Sequence, residues 1–500
     1  MLSQMNVIRR ERLISASLLA LAALWYGFWL TNGDFHFVKA GKGLGLCFNS
    51  MLEHLLRGEF DVDPSAVGDE GFRRDGRVFA YWGIFFALIR WPLALIPGGL
   101  RIDVTTFSCF VAVCAAAFAK LQTLRAVFDI SPASPARDIL FGCLVLTILF
   151  GGAQVEFLRP SIYQEVCLWA GALAAMFNYF AVRGIINDRF STSWLCSMSL
   201  LAGLALLARV SMGIGLYAAL GLLLVSLASE SHPKKEKSLA AISTLKDRIL
   251  SARFLLPLLI LLGFAVIGGY VNYQRWGDPT VFADFNLHLM NDEYPDRRPR
   301  TEAYGLFNLL RIPFGLIYYF FPIWVIHRHD GHLLLEEHQR RLIDATELPP
   351  SSFLLTDPLF VLLLLYTGWL LLKTRRGTGI NWRSAVAVGS GLLVAWVLML
   401  AAISMNFRYR IEFYPLFELG AFLGFFALCR SSLPAHATPR LRAISIVLCA
   451  IGILASHLVM IMYKLSEFGP TIDKLRPGVI TYYIERGCVQ IEAILARLLL

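Results

Sequence analysis

Charged residues are scarce in this chain. Only 16% of its 500 residues are charged, whereas 57% are hydrophobic, and the mean hydropathy is +0.59. These values lie well outside soluble averages, and apolar runs of about 20 residues recur along the sequence. The composition therefore excludes an ordinary soluble domain and predicts an all-α polytopic integral membrane protein.

Paired metal-ligand and disulfide patterns are also missing. None of the nine cysteines forms a C-x-x-C pair, and seven of them lie in apolar runs. Cys47 and Cys488 lie in polar surroundings. A disulfide between them is an alternative that the sequence allows, although their spacing does not support it. The histidines of HRHDGH at 327–332 lack the i, i+4 helical spacing of a zinc site. The sequence therefore predicts no metal ligands and no certain cofactor, and it leaves a divalent metal open.

The net charge of +10 does not indicate a nucleic-acid partner. Lysine and arginine are spread over short connectors between apolar runs, which is the distribution that membrane topology requires. No basic face on a folded domain is available to contact phosphates. We therefore expect membrane lipids, and no nucleic acid, among the partners.

Eleven apolar runs each have nearly the length that a bilayer needs. They are 13–31, 104–122, 138–156, 162–182, 192–208, 211–229, 254–273, 353–372, 384–404, 413–429 and 443–462. Two further stretches, 83–97 and 307–326, are interrupted by arginine and proline, which is typical of interfacial or re-entrant helices. The sequence predicts about eleven transmembrane helices in one domain, 1–500, and the first run should stay as an anchor.

Positive charge orients these helices. With both interrupted stretches outside, the inside connectors carry 20 lysines and arginines and the short outside turns carry 4. Treating 83–97 as a full span would move 17 of those 20 outside. The count places the N-terminus inside and two long loops outside, 32–103 and 274–352, with an external tail at 464–500. The expected location is the inner (cytoplasmic) membrane of the cell.

The first external loop is the best candidate for an active-site loop. GEFDVDP at 58–64 and GDEGFRRDGR at 68–77 supply six acids among turn-forming glycines, and the aromatic stretch VFAYWGIFFALIRWP follows. Acids in a loop are often only solvated. An aromatic helix pressed to the membrane surface would instead hold the acidic turn against the bilayer, where a carboxylate can be a partly desolvated general base.

Three more segments join this loop on the external face: EFLRP at 156–160, NYQRWGDP at 272–279 and NFRYRIEFYP at 406–415. The series LLRGEFDVDP, DGRVFAYWGIFFALIRWP, NYQRWGDP and RYRIEFYP resembles the bacterial dolichyl-phosphate-mannose-protein mannosyltransferase-like membrane proteins of the GT-C glycosyltransferase superfamily. The resemblance runs over most of the chain. It implies a GT-C-like fold and an inverting transferase that moves a sugar from a polyprenyl-phosphate donor to a lipid or glycan acceptor of the cell envelope.

The resemblance also implies site residues. An acid of the first external loop would act as base, for which Glu70 and its neighbour Asp69 are the first choice. The acid pair usual in the superfamily lies soon after the first helix, where this chain has only Asp34, so Asp34 stays the alternate.

Cationic groups would stabilise the departing lipid phosphate. Arg408 and Arg410, with Tyr409 between them, follow the 384–404 run, and guanidinium binds phosphate in bidentate fashion. Arg159 and Arg275 are further candidates. In the alternative interpretation, the side chains of Arg408 and Arg410 extend (snorkel) to the polar membrane surface and do not bind a phosphate.

A different class of function fits the same composition. The chain would then be a lipid or polysaccharide transporter, or a non-catalytic membrane component of an envelope pathway. Transporters place ionisable residues near the middle of the membrane, often on broken helices from internal repeats. No repeat is visible here and the charges lie at the ends of the runs, which favours the transferase.

Overall fold

The computed structural model describes residues 2–132, 135–229, 251–321, 341–344, 351–373, 378–430 and 437–465. In these ranges, eleven helices of 16 residues or more coincide with the eleven apolar runs. They are α1 (Leu2–Thr31), α2 (Thr105–Asp129), α3 (Pro135–Phe150), α4 (Ile162–Ile186), α5 (Thr192–Ala208), α6 (Val210–Ser229), α7 (Ala252–Trp276), α8 (Pro358–Lys373), α9 (Trp382–Leu400), α10 (Tyr414–Arg430) and α11 (Ala437–Leu465). The prediction of an all-α polytopic membrane protein is confirmed.

Eight helices in the described ranges are long and apolar enough to cross a membrane, and the described parts of α1, α5 and α8 are shorter apolar helices. The number of spans and the side that each connector faces stay predictions. The HRHDGH tract, Cys488 and the tail beyond residue 465 lie outside the described residues.

The two interrupted stretches do not form long helices where they are described. The first contains the short helices Phe85–Ile89 and Trp91–Ala94, and the second contains a turn at Leu309–Arg311 followed by the 9-residue helix Ile312–Phe320. A bilayer requires about 20 helical residues, so neither helix is long enough to span one. The remaining short helices are Cys47–Leu56, Pro64–Val67, Gly152–Val155, Arg297–Tyr304 and Phe353–Thr356.

The helix bundle is joined by close packing and by a buried ion pair. Gly391 of α9 faces the Ala219 backbone of α6, where an added Cβ would overlap it, so glycine is what lets these two helices approach. Lys120 of α2 lies 2.7 Å from Glu418 of α10, with both side chains at least 97% buried. The expectation that charges lie only at the ends of the runs is wrong for this pair.

Two small antiparallel pairings shape the first loop. Lys39–Ala40 pairs with Ile102–Asp103, which closes the loop at its base. Phe72–Arg74 pairs with Arg77–Phe79 as a hairpin. Its turn is Asp75–Gly76, with φ of 50° and 76°, the left-handed geometry that Asp-Gly turns favour. The acidic turn at 68–70 immediately precedes this hairpin.

A buried ion pair fixes the aromatic end of the loop to the bundle. Arg90 donates from Nη1 and Nη2 to the two carboxylate oxygens of Glu165, at 2.6 and 2.8 Å. Both side chains are at least 97% buried. Such a bidentate pair is directional, so it sets where the first loop meets the beginning of α4.

The first loop also contacts the chain that follows α7. Phe72 forms an isolated bridge with His288, and the amide of Leu289 donates to the carbonyl of Gly71 at 2.9 Å. The Phe72 ring lies 5.4 Å from that of Trp276 at the end of α7. These contacts bring two segments about 200 residues apart in sequence to one place.

Candidate functional site

Glu70 lies in the turn between Pro64–Val67 and the hairpin, and its carboxylate points towards the start of α4. Its Oε1 accepts a hydrogen bond from the hydroxyl of Tyr163, and its side chain is 23% exposed. A carboxylate in this position is held in one orientation while part of it stays accessible. Both properties are needed by a general base that must meet a substrate hydroxyl.

The other two predicted acids differ from Glu70. Asp69 is exposed in the same turn. Asp34 follows α1, its side chain is 45% exposed, and its Oδ1 accepts from the amide of His36 at 2.8 Å. The catalytic role of each acid stays a prediction, and the geometry favours Glu70 because it alone of the three contacts α4.

Tyr163 joins the acid to a cation. The guanidinium carbon of Arg408 lies 4.3 Å from the Tyr163 ring centroid, within the range of a cation–π contact. Trp82 packs on the same ring at 5.7 Å between centroids. One phenol therefore contacts Glu70 through its hydroxyl and Arg408 through its ring.

A second cation lies beside Tyr409. Arg209, directly after α5, forms an ion pair with Glu412, and its guanidinium carbon is 5.2 Å from the Tyr409 ring centroid. Ser211 donates to the same Glu412 oxygen at 2.5 Å. Sequence analysis misses this pair, because nothing in the sequence connects Arg209 to Glu412, about 200 residues away. We call Glu70, Tyr163, Arg209, Arg408 and Tyr409 the candidate site.

Arg410 has different surroundings from Arg408. It is fully buried, and it donates from Nε to Glu156 at 2.9 Å, from Nη1 to the Ser351 carbonyl at 3.0 Å and from Nη2 to Thr356 at 2.7 Å. Its Nη2 also lies 3.5 Å from Asp357. These partners occupy each nitrogen of the guanidinium, so the predicted contact with a donor phosphate would require the network to open.

The partners of Arg410 are themselves bonded. Tyr414 and Thr356 donate to Asp357 Oδ2 at 3.0 and 2.7 Å, and Ser351 donates to Glu156 at 3.1 Å. The network links the start of α10 to the residues preceding α8 and to Glu156, directly after the short helix Gly152–Val155. It is built as a structural connection of the bundle.

The remaining predicted cations, Arg275 and Arg159, have other partners. Arg275 is buried near the end of α7 and donates to the Trp82 carbonyl at 2.8 Å, so it supports the first loop. Arg159 precedes α4, donates to the Tyr463 carbonyl at 3.2 Å and lies 5.0 Å from the Tyr463 ring centroid. Neither contact joins Glu70 or Arg408.

Two neighbours of Glu70 are uncharged at neutral pH. Burial and the nearby Arg297 lower the pKa of His288 to about 4, although its Nε2 lies 3.9 Å from Glu70. Burial, and secondarily the charge of Glu70, raise the pKa of Tyr81 well above its usual value. Glu70 therefore has the neutral rings of His288 and Tyr81 as neighbours. The positive charge on the other side of Tyr163 is that of Arg408. No local pattern points to His288, which lies near Glu70 only because the chain after α7 contacts the first loop.

One group in the described residues has the spacing of metal ligands. A ligand atom from each of His54, Glu59 and Asp61 lies within 4.8 Å of the others. His54 Nδ1 is hydrogen-bonded to Asp61 at 2.9 Å, and Ser50 donates to Asp63 beside them at 3.0 Å. His54 Nδ1 also lies 3.6 Å from Glu59, so the group joins the helix Cys47–Leu56 to the acidic segment that follows it.

A search of protein-family models finds no match to the chain, and no curated protein matches it. Among solved structures, the chain is similar to the archaeal oligosaccharyltransferase AglB from Archaeoglobus fulgidus in complex with an inhibitory peptide and a dolichol-phosphate. The identity is 14%, the TM-score is 0.49, and the match covers 92% of this chain and 57% of AglB. The Archaeoglobus fulgidus oligosaccharyltransferase in the apo form matches with 14% identity and a TM-score of 0.47, over 91% of this chain and 56% of the other. This chain spans less than two thirds of the length of these structures.

Proposed function

We propose that this chain is a membrane glycosyltransferase that moves a sugar from a polyprenyl phosphate to an envelope acceptor, a lipid or a glycan. The observation that supports it is the arrangement around Tyr163, which positions the Glu70 carboxylate and the Arg408 guanidinium on one side chain. An acid and a cation held together at helix ends are the two groups that displacement of a lipid phosphate requires.

In the proposed reaction, Glu70 accepts the proton of the acceptor hydroxyl. The oxygen attacks the anomeric carbon, the bond from that carbon to the phosphate oxygen breaks, and the configuration inverts. Arg408 stabilises the negative charge that grows on the leaving lipid phosphate. Tyr163 orients the carboxylate, and the neutral rings of Tyr81 and Trp82 limit the access of water.

Three substitutions test the choice of base. Glu70→Gln keeps the shape and one acceptor oxygen for Tyr163, and it should lower turnover by about 10²- to 10⁴-fold while donor binding stays intact. Asp69→Asn and Asp34→Asn should each leave most of the turnover. The measurement is transfer of a radiolabelled sugar from a polyprenyl-phosphate donor by the purified chain.

A matched control removes an acid of the same loop. Asp75 has an 84% exposed side chain at the tip of the hairpin, so Asp75→Asn changes the net charge of the loop equally and should leave turnover unchanged. Loss of turnover in Asp34→Asn alone would move the base to Asp34. Turnover that survives substitution of all three acids would refute an acid-dependent transferase.

A further inference from the structure

Two aromatic rings hold the imidazole of His288 in place. It lies 4.6 Å from the ring of Phe72 and 5.7 Å from that of Phe285, measured between centroids. The side chain is 5% exposed, and its Nε2 has no hydrogen-bond partner among the described residues. Buried polar atoms are nearly always hydrogen-bonded, so this nitrogen requires an explanation.

The other ring nitrogen decides where the proton of His288 lies. Arg297 Nη1 is 3.2 Å from Nδ1. A guanidinium is always protonated and can only donate, so Nδ1 is the acceptor and the single proton of the neutral imidazole is on Nε2. The low pKa of His288, about 4, keeps the ring neutral at physiological pH. The unbonded Nε2 is therefore a hydrogen-bond donor.

Arg297 is itself fixed by contacts within the second long loop, 274–352. Its Nε donates to Oδ2 of Asp344 at 2.9 Å, and Arg300 donates to Oδ1 of the same carboxylate at 2.7 Å. The amide of Asp344 donates to the carbonyl of Ile403 at 2.9 Å. Ile403 belongs to the segment that leads into the cation of the candidate site. The second loop thus sets the tautomer of the imidazole and contacts that segment as well.

Tyr163 and His288 lie at different oxygens of the Glu70 carboxylate. Tyr163 donates to Oε1, whereas His288 Nε2 is 3.9 Å from Oε2. An N–H···O hydrogen bond is about 2.7–3.2 Å long, so a shift of roughly 1 Å would form one here. Catalytic hydrogen bonds are often long in the free enzyme and shorten when the substrate binds.

We propose that His288 is a positioning residue for Glu70. When the donor lipid binds, Nε2–H donates to Oε2 while Tyr163 donates to Oε1, so the carboxylate is held by both of its oxygens. Each carboxylate oxygen can accept two hydrogen bonds, so Oε2 can still take the proton of the acceptor hydroxyl. This inference rests on the proposed function, and it adds that the second loop completes the site.

Nitrogen NMR of the purified full chain, labelled with ¹⁵N-histidine, tests the tautomer. The signal of His288 is the one that is missing from His288→Gln. It should show the proton on Nε2, and Arg297→Leu should produce a second signal with the proton on Nδ1. Arg298→Leu is the matched control, because Arg298 is an exposed neighbour of the same charge, and it should change nothing. A proton on Nδ1 in the unsubstituted chain would overturn the inference.

A pair of variants separates the hydrogen-bond donor from the ring. His288→Gln keeps an N–H near the position of Nε2 but lacks the ring, whereas His288→Phe keeps a ring beside Phe72 and Phe285 but lacks the donor. His288→Phe should lower kcat about ten- to 150-fold, the effect of losing one hydrogen bond to a charged group, and leave the KM for the lipid donor unchanged. His288→Gln should keep most of kcat.

The opposite order, with His288→Phe active and His288→Gln inactive, would show that only ring packing matters and would overturn the inference. Equal kcat in the two variants would overturn it as well. Thermal unfolding of both variants identifies a loss that comes from misfolding, and the tautomer measurement then decides without them. An unsubstituted chain that transfers no sugar would refute the proposed function, whereas an active chain that ignores His288→Phe would remove only the role of His288.

Discussion

Arg408 and Arg410 should respond to substitution in opposite ways. Arg410→Ala leaves the carboxylates of Glu156 and Asp357 buried without their cation, since both are fully buried next to it. Removing one partner of a buried ion pair typically costs about 3–5 kcal/mol. We expect Arg410→Ala to lower the free energy of unfolding by this amount.

Arg408→Ala removes a cation–π contact with Tyr163, which is worth about 0.5–1 kcal/mol at a partly exposed site. The fold should therefore change little. Loss of one charged hydrogen bond to the donor phosphate should instead cost about 1.5–3 kcal/mol in transfer, which is roughly ten- to 150-fold in kcat/KM. Arg408→Lys should restore part of it, because lysine keeps the charge without the bidentate geometry.

The assays are thermal unfolding in detergent, followed by size-exclusion fluorescence, and transfer kinetics with the lipid donor. A stably folded Arg410→Ala protein with lost donor affinity, together with an unaffected Arg408→Ala protein, would refute this reasoning. In that outcome Arg410 would be the phosphate contact, as the sequence alone also allowed.

Three further outcomes are expected. Arg90→Glu should lower the free energy of unfolding by about 3–5 kcal/mol. The double variant Arg90→Glu/Glu165→Arg should be more stable than either single variant, and a loss equal to the sum of the two single losses would contradict a direct pair. Because the pKa of His288 falls from 6.5 to about 4 on folding, the folded state binds its proton more weakly, so stability is fully present above pH 6.5 and decreases by about 3 kcal/mol as the pH falls towards 4. Limited proteolysis of the loops should show this loss, and His288→Gln should abolish it. Gly83→Ala would overlap a backbone oxygen of α5 and should lower the unfolding temperature, whereas Gly142→Ala meets open space and should not.

The helices could be predicted from sequence because a bilayer leaves no alternative. Every backbone group in hydrocarbon must be bonded within its own segment, so a spanning helix appears as an unbroken apolar run. The short helices of the two interrupted stretches could also be predicted, because Pro92 and Pro313 lie in the first turn of a helix in each stretch. Ion pairs inside the bundle, such as that of Lys120 with Glu418, could not be predicted. Each partner is a charged residue in a largely apolar run, and no local pattern shows which two residues meet.

The candidate site could be predicted only in part. Glu70 was selected because glycines flank an acidic turn beside aromatics, and those features are local. Arg408 and Arg410 were expected to act together, but residues 407–412 form a 3₁₀ helix. With three residues per turn, positions two apart point about 240° apart around the axis, so one arginine meets Tyr163 while the other enters the bundle. Arg209 and His288 depend on contacts between distant segments, which no local pattern records.

The residues of the candidate site are far apart in the sequence, and this affects when the site can form during synthesis of the protein. Glu70 and Tyr163 emerge early, whereas Arg408 follows Glu70 by about 340 residues, which at about 5–20 residues per second takes roughly 20–70 s. During that interval the nascent chain contains Glu70, Tyr163 and Arg209 but lacks Arg408 and Tyr409, so the candidate site is incomplete. If the proposed function is right, a ribosome that stalls before Arg408 leaves a chain without the group that would stabilise the leaving phosphate.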